Sequence, residues 1–315
     1  MADFRTTVDV PASNWQMTVG DTVFSMGSCF SDEISSRLEQ RQVECCTNPY
    51  GVVYNPMSLE RQVERIVGRV MDYPSVEIVE RDGMCHSLMA HSVMSGATKG
   101  EVEDNLRHWT AKAYDKMKSA KIVVLTFGTA WVYKYMRFVV ANCHKMPSSE
   151  FDRVLMNTSE VSLSVRNTIR MIRQVNEEAL IVLTVSPIRH LKDTAHGNAI
   201  SKSTLLLGVE DAIKRTSDNK VGYFPSYEII LDDLRDYRFY AADMVHPSDV
   251  AVDYVFDKFM DTYFTDRLKQ YAKEGKSLWQ LMNHRPMGTE IEKEKHYQLV
   301  QNKREEYNKR WGVSI

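Results

Sequence analysis

A serine near the start of this 315-residue sequence stands where a nucleophile could be activated. Ser28 follows a short apolar run, residues 22–26, and Gly27, and it precedes the acidic start of a predicted helix. At such a strand-to-helix bend, the helix amides and the helix dipole can stabilise a developing oxyanion. Ser28 is therefore a candidate nucleophile.

A histidine far along the chain has its own orienting group. Asp243 and His246 are separated by two residues, and Pro247 and a long amphipathic helical pattern, residues 247–264, follow them. A proline at the first helical position fixes the start of a helix, so we expect His246 at the cap with its ring free of the core. A carboxylate three residues back can accept from one ring nitrogen while the other faces a nucleophile. Ser28, His246 and Asp243 thus form a candidate catalytic triad.

Cys29, next to Ser28, is the alternative nucleophile. Thiolates at helix N-termini have lowered pKa values and react readily. Consecutive residues at a sharp turn point in different directions, so one of the two can meet His246. A free cysteine otherwise packs as a small apolar residue, which favours Ser28.

Four apolar runs predict the strands that position these residues. They are apolar on both faces, as is typical of buried parallel strands, and comprise residues 22–26, 122–127, 179–185 and 221–224. Helical patterns alternate with them, at residues 55–70, 101–120, 161–178, 201–216 and 247–264. This alternation predicts a three-layer α/β/α fold of the flavodoxin-like kind with a mostly parallel central sheet, in which ligands bind beyond the carboxyl ends of the strands. Residues 76–96 and 132–146 predict hairpin insertions on the active face.

Composition narrows the classes of function. Lys and Arg (40) nearly balance Asp and Glu (42), for a net charge of −2, so no global charge excess indicates a nucleic acid or an anionic membrane as a partner. Five cysteines without CxxC spacing do not predict a disulfide framework. The sequence shows no signal-peptide core and no apolar run of about 18 residues, which predicts a soluble, cytoplasmic protein. It also has no zinc-binding, dinucleotide-binding or Walker motif, so we expect no metal and no cofactor.

Taken together, the motifs resemble the GSCFA family, which is placed near the SGNH (GDSL-like) hydrolases. The resemblance covers roughly residues 20–265 and implies an SGNH-hydrolase fold with Ser28, Asp243 and His246 as its triad. It rests on GSCF (27–30), NPYGVVYNP (48–56), FGTAWVY (127–133), NCHK (142–145), SPIRH (186–190), DYRFY (236–240) and DMVHP (243–247).

The sequence departs from typical SGNH hydrolases at one important place. Their third block reads Gly-x-Asn-Asp, and its asparagine donates to the oxyanion, whereas residues 128–131 here read GTAW. Losing one such donor can cost about 100-fold or more in rate, so another group must replace it in an active enzyme. The backbone amides of Ser28 and Gly51 and the hydroxyl or amide of Thr129 are the candidates.

The resemblance also implies residues that face the substrate or support the triad. They are His86, His91, Arg189 and His190. Each of these histidines could equally be a loop residue bonded to the backbone. Trp131 could be a sugar platform, a wall of the acyl pocket or part of the core.

The expected function is that of a serine esterase that removes a short, acetyl-like acyl group from a carbohydrate or related metabolite. The acyl preference comes from the wider superfamily by analogy. Two alternatives stay open: an acyltransferase with the same triad, and a weakly active or inactive ligand-binding protein that lacks a complete oxyanion hole.

The motif positions predict two parts of the chain. Residues 1–265 form the SGNH-like GSCFA domain, and residues 266–315 form a helical C-terminal extension. The extension is rich in basic and aromatic residues and could bind a partner or RNA. Its alternating Lys and Glu residues favour a solvated helix packed on the domain.

Overall fold

A computed structural model of the protein describes residues 5–70 and 75–315. Its strands are β1 (Val23–Gly27), β2 (Cys45–Thr47), β3 (Ile78–Arg81), β4 (Met84–Ser87), β5 (Ile122–Phe127), β6 (Trp131–Tyr135), β7 (Phe138–Val140), β8 (Phe151–Leu155), β9 (Leu180–Val185) and β10 (Val221–Tyr223). Its helices are α1 (Cys29–Glu39), α2 (Pro56–Gly68), α3 (Lys99–Ser119), α4 (Thr158–Val175), α5 (Thr194–Thr216), α6 (Ser226–Glu228), α7 (Asp249–Tyr263), α8 (Asp266–Asn283) and α9 (Glu290–Trp311).

The central sheet confirms the predicted fold class. Its strands pair in parallel in the order β10-β9-β5-β1-β2, which is the flavodoxin-like arrangement. β1, β5 and β9 are buried on both faces along their whole length, and therefore read as continuous apolar runs in the sequence. The sequence analysis missed the three-residue edge strand β2, in which a single residue is fully buried.

The core lies on both sides of this sheet. Apolar side chains of α2, α3, α4 and α5 pack on one face around Phe24, and those of α1, α7 and α8 pack on the other around Val23. Neighbouring residues of one strand thus face opposite helical layers, as the pleat requires. Tyr271 and Leu278 of α8 and Tyr307 of α9 are buried in the second cluster, while the domain boundary at residue 265 stays a prediction. No helix of the described residues is long and apolar enough to cross a membrane.

Both predicted hairpin insertions are present. β3 and β4 pair in antiparallel fashion across a turn at Asp82, and β6 and β7 pair across a turn at Met136 and Arg137. β8, which the sequence did not predict, pairs with the other edge of β6.

The start of α7 differs from the prediction. Ser248, rather than His246, is the N-cap, and its hydroxyl accepts from the Ala251 amide. Pro247 lies before the helix and pairs with Tyr240 in an isolated antiparallel bridge. The serine hydroxyl supplies the capping acceptor, so the helix begins two residues later and His246 stands in the preceding loop.

Candidate active site

Ser28 stands at the bend between β1 and α1. It is the N-cap of α1 with an extended backbone (φ −67°, ψ 170°). The residue is 1% exposed, and its hydroxyl has no hydrogen-bond partner within the described part of the chain. Because buried polar atoms are nearly always paired, such an atom calls for an explanation such as a functional role.

Asp243 and His246 form the contact that their spacing predicts. The Asp243 carboxylate lies 2.6 Å from His246 Nδ1 and also accepts from the backbone amides of Val245 (2.9 Å) and His246 (3.0 Å). These amide bonds, followed by the imidazole, lower the pKa of Asp243 to about 2. The group is therefore a carboxylate at neutral pH and can hold the proton on Nδ1, which leaves Nε2 to accept another.

A pocket of about 460 Å³ lies beyond the carboxyl ends of the parallel strands. Its lining includes Cys29 after β1, Thr129 after β5, His190 after β9, and His246. This is the edge at which open α/β sheets bind ligands. The Ser28 hydroxyl makes no hydrogen bond to His246 in this structure. His246 lines the pocket, whereas Ser28 and Asp243 are not among its lining residues, so Ser28 is not joined to the Asp243–His246 pair.

Gly128 is closely surrounded by Ser28, His190 and Tyr54. A Cβ on Gly128 would stand 3.3 Å from Ser28 Cβ, 3.2 Å from His190 Nε2 and 3.3 Å from Tyr54 Cδ1. His190 Nε2 is buried and, among the described residues, has no hydrogen-bond partner. Burial, followed by the charge of Lys202, lowers the pKa of His190 to about 4, so its ring is neutral at neutral pH. Because Gly128 has no side chain, Ser28 Cβ and His190 Nε2 can both lie close to it.

The amides predicted to form the oxyanion hole are already occupied. The Ser28 amide donates to the backbone carbonyl of Thr126 (3.1 Å). The Gly51 amide donates to the backbone carbonyl of Asn48 (2.7 Å), and the Thr129 amide donates to that of Tyr54 (3.0 Å). The Thr129 hydroxyl pairs with Ser201 Oγ at 3.0 Å and accepts from the Trp131 amide. Backbone carbonyls and a helix side chain thus take up these donors in the free structure, and their role at an oxyanion stays a prediction.

Cys29 lines the pocket but is not activated there. Burial, followed by the charge of Asp32, raises the pKa of its thiol. The expectation of a lowered pKa was wrong, because desolvation and a nearby carboxylate outweigh the helix N-terminus.

The other predicted residues divide into two groups. Trp131, Arg189 and His190 line the pocket. His86 and His91 do not: the His86 ring stacks on His144 (centroids 4.7 Å apart) and its Nδ1 pairs with Ser95, while the His91 amide donates to Tyr50. Neither histidine is among the lining residues, and the role predicted for them stays a prediction. Among the described residues, no three His, Cys, Asp or Glu side chains are grouped so that they could hold a metal ion.

The sequence analysis missed Lys202. This α5 side chain is buried, and its Nζ donates to the carbonyls of Gly128 and Ser186, each at 2.6 Å. It thereby ties together the segments that follow β5 and β9. The signal was present, since Lys202 lies three residues before Leu205 on the apolar face of the helical pattern.

We expect Lys202→Met to lower the free energy of unfolding by about 2–5 kcal/mol, because it leaves two buried carbonyls unpaired. Denaturant unfolding monitored by circular dichroism measures this. Lys214→Met, at an exposed position of the same helix, is the matched control and should change stability by less than about 0.5 kcal/mol.

The pH dependence gives a second readout. Burial lowers the pKa of Lys202 from 10.5 to about 7. Between these values the unfolded chain holds this proton more tightly than the folded one, so the contribution of Lys202 to stability rises with pH. A stability difference between wild type and Lys202→Met that falls above pH 7 would contradict this.

The chain is similar to several solved structures and to one protein family. No curated protein matches it. Among solved structures it is similar to a family two carbohydrate esterase from Clostridium thermocellum (13% identity, TM-score 0.38, 81% of this chain and 64% of that one). It is also similar to an acetyl xylan esterase from Butyrivibrio proteoclasticus (10% identity, TM-score 0.42, 81% and 64%). A third similar structure is that of a DUF4886 family protein from Bacteroides uniformis (14% identity, TM-score 0.38, 86% of this chain and 98% of that one).

The chain spans less than two thirds of the length of the first and second of these structures. The motif resemblance is confirmed by the family model described as "GSCFA family", which matches residues 22–259. The chain belongs to the GSCFA family.

Proposed function

We propose that the protein is a serine esterase that removes a short, acetyl-like acyl group from a carbohydrate or related metabolite. One observation carries the proposal. The carboxylate-held imidazole of His246 lines the same pocket as Cys29, next to which Ser28 holds a buried, unpaired hydroxyl among the described residues. A nucleophile, a base and a group that orients the base are the parts that acyl transfer needs.

In the proposed reaction, His246 Nε2 removes the Ser28 proton as Oγ attacks the acyl carbonyl. The tetrahedral intermediate collapses, and His246 returns the proton to the leaving alcohol. Water, activated by the same imidazole, then releases the acyl group from Ser28. The hydrogen bond between Ser28 and His246 forms in the substrate complex, as is common for catalytic bonds that are long or absent in the free enzyme.

We assign the oxyanion to His190. Its neutral ring can donate one N–H, and its Nε2, unpaired among the described residues, lies close to Gly128, as Ser28 Cβ does. A fixed donor in a site that excludes water stabilises the developing charge. His190 would thereby take the part that the third-block asparagine has in typical SGNH hydrolases.

We further propose that the protein acts in a reducing compartment such as the cytoplasm. All five cysteines are free thiols in the structure. Free cysteines persist where glutathione and thioredoxin keep thiols reduced.

A fluorophosphonate probe tests the serine mechanism. We expect wild-type protein to be labelled on Ser28, and Ser28→Ala and His246→Ala to remain unlabelled while folded. Mass spectrometry of the peptide that contains Ser28 and Cys29 locates the adduct. An adduct on Cys29 would reverse the choice of nucleophile, whereas folded wild type without any adduct would favour the ligand-binding alternative. Product analysis with a sugar acceptor separates hydrolysis from acyl transfer.

A further inference from the structure

We propose that the substrate of this pocket carries a negatively charged group, a carboxylate or a phosphate, bound by Arg189 and Lys192. This inference rests on the proposed esterase function for the acyl end of the substrate. The charged end of the substrate would be bound by Arg189 and Lys192, which take no part in the proposed acyl chemistry.

The charges that line the pocket are unbalanced. Arg153, Arg189 and Lys192 contribute three cations, against the one carboxylate of Asp193. Arg153 is paired with Asp193. Arg189 and Lys192 form no ion pair with any residue that the structure describes. The pocket wall therefore carries positive charge on a protein whose overall net charge is −2.

The two acidic residues in the segment that leads to α7 already have partners. Asp243 is engaged by the His246 ring and by two backbone amides. Asp236 is paired with Arg238. Arg189 itself is half-buried, and its Nη1 donates to the Tyr240 hydroxyl at 2.9 Å.

A guanidinium has five N–H donors, so this neutral partner leaves most of them for a ligand. The planar fork of Arg matches a carboxylate or a phosphate through two parallel hydrogen bonds. A half-buried cation without a counter-charge also gains more from binding an anion than a fully solvated cation does.

The position of this charge fits a small substrate. Arg189 precedes His190, the proposed oxyanion donor, so the charge and the reacting carbonyl would lie along one wall. A pocket of about 460 Å³ is within the usual range for small-molecule sites, roughly 300–1,000 Å³. We therefore expect the anionic group on the same sugar-sized unit as the ester, and not on a distant part of a polymer.

Matched esters test the inference. Mono-O-acetyl methyl glucosides are compared with the corresponding glucuronides and glucose 6-phosphates, which differ by the added carboxylate or phosphate. At low salt we expect kcat/KM for at least one anionic series to exceed that of the neutral series by about tenfold or more. The preference should shrink as ionic strength rises. The two anionic series show which of the two groups fits.

Arg189→Gln should bring the ratio of anionic to neutral kcat/KM towards one. Arg170→Gln is the matched control, because it removes the same charge from the exposed surface of α4 and should keep the ratio. Equal kcat/KM for neutral and anionic esters, or a preference that survives Arg189→Gln, would overturn the inference.

Binding to Ser28→Ala separates this inference from the proposed function. Calorimetry compares the same acetylated glucosides, glucuronides and 6-phosphates without turnover, after circular dichroism has shown that the variant is folded. If wild type hydrolyses none of them but the variant binds an anionic ester at least about tenfold more tightly at low salt, the esterase proposal fails and the anion site stands. Equal binding of neutral and anionic esters disproves the anion site.

Discussion

Replacement of His246 by alanine is expected to lower kcat for 4-nitrophenyl acetate by about 10⁴-fold. The imidazole is the proposed base for Ser28, and Asp243 alone cannot take its place because its pKa of about 2 makes it a weak base. His246 is half-exposed in the loop before α7, so the melting temperature should stay within about 2 °C of wild type. Steady-state kinetics and thermal unfolding together measure both effects.

The same assay separates His246 from His190. Because His190 is the proposed oxyanion donor, His190→Leu should lower kcat by about 10²–10³-fold. His190→Gln should recover part of that loss, because glutamine keeps an N–H donor. His108→Ala is the control, because His108 is exposed on α3 and does not line the pocket. If His246→Ala kept activity within tenfold of wild type while His190→Leu lost all of it, the base would have to be reassigned to His190.

The sequence predicted the sheet well because burial leaves a clear pattern. Strands such as Ile122–Phe127 and Leu180–Val185 are buried on both faces, and their residues are therefore continuously apolar. β2 and β8 lack that pattern, since one is an edge strand of three residues and the other exposes its central residues. The hydrophobic pattern of a sequence reveals a strand only where the strand is buried, and β2 and β8 have few buried residues.

The candidate site was predicted in part for a different reason. Asp243 and His246 are three residues apart and meet within one turn of the chain, so their spacing was enough to predict their contact. Whether an amide is free depends instead on carbonyls that are distant in sequence, as Thr126 is from Ser28 and Tyr54 from Thr129. The sequence could not show that these donors were already engaged.

Lys202 shows a further limit of pattern analysis. Its place on the apolar face of α5 could be read from the sequence, but its role depends on two carbonyls at the ends of β5 and β9. A lysine at a core position predicts that a partner exists without saying which one. That identity comes from the register of the folded strands.

Gly27→Ala is expected to have the largest effect on stability, about 4 kcal/mol or more of the free energy of unfolding. Gly27 has φ +145°, and a Cβ there would stand 2.1 Å from the Thr126 carbonyl oxygen. The strand cannot simply move aside, because Gly27 is paired with Thr126 in the sheet and its amide donates to Asn48 Oδ1 at 2.8 Å. This loss is a large share of the stability of an ordinary domain, which is about 5–15 kcal/mol.

Gly222→Ala is the matched control for this substitution. Gly222 also lies in a strand of the sheet, β10, but a Cβ there would meet no heavy atom within 4 Å. We expect a change in stability of less than about 1 kcal/mol, as for glycines whose conformation alanine can adopt. Denaturant unfolding of the two variants compares them directly, and a Gly27→Ala protein as stable as Gly222→Ala would contradict the argument. Since Gly27 immediately precedes Ser28, the close approach of β1 to β5 that excludes a side chain there also fixes where the proposed nucleophile stands.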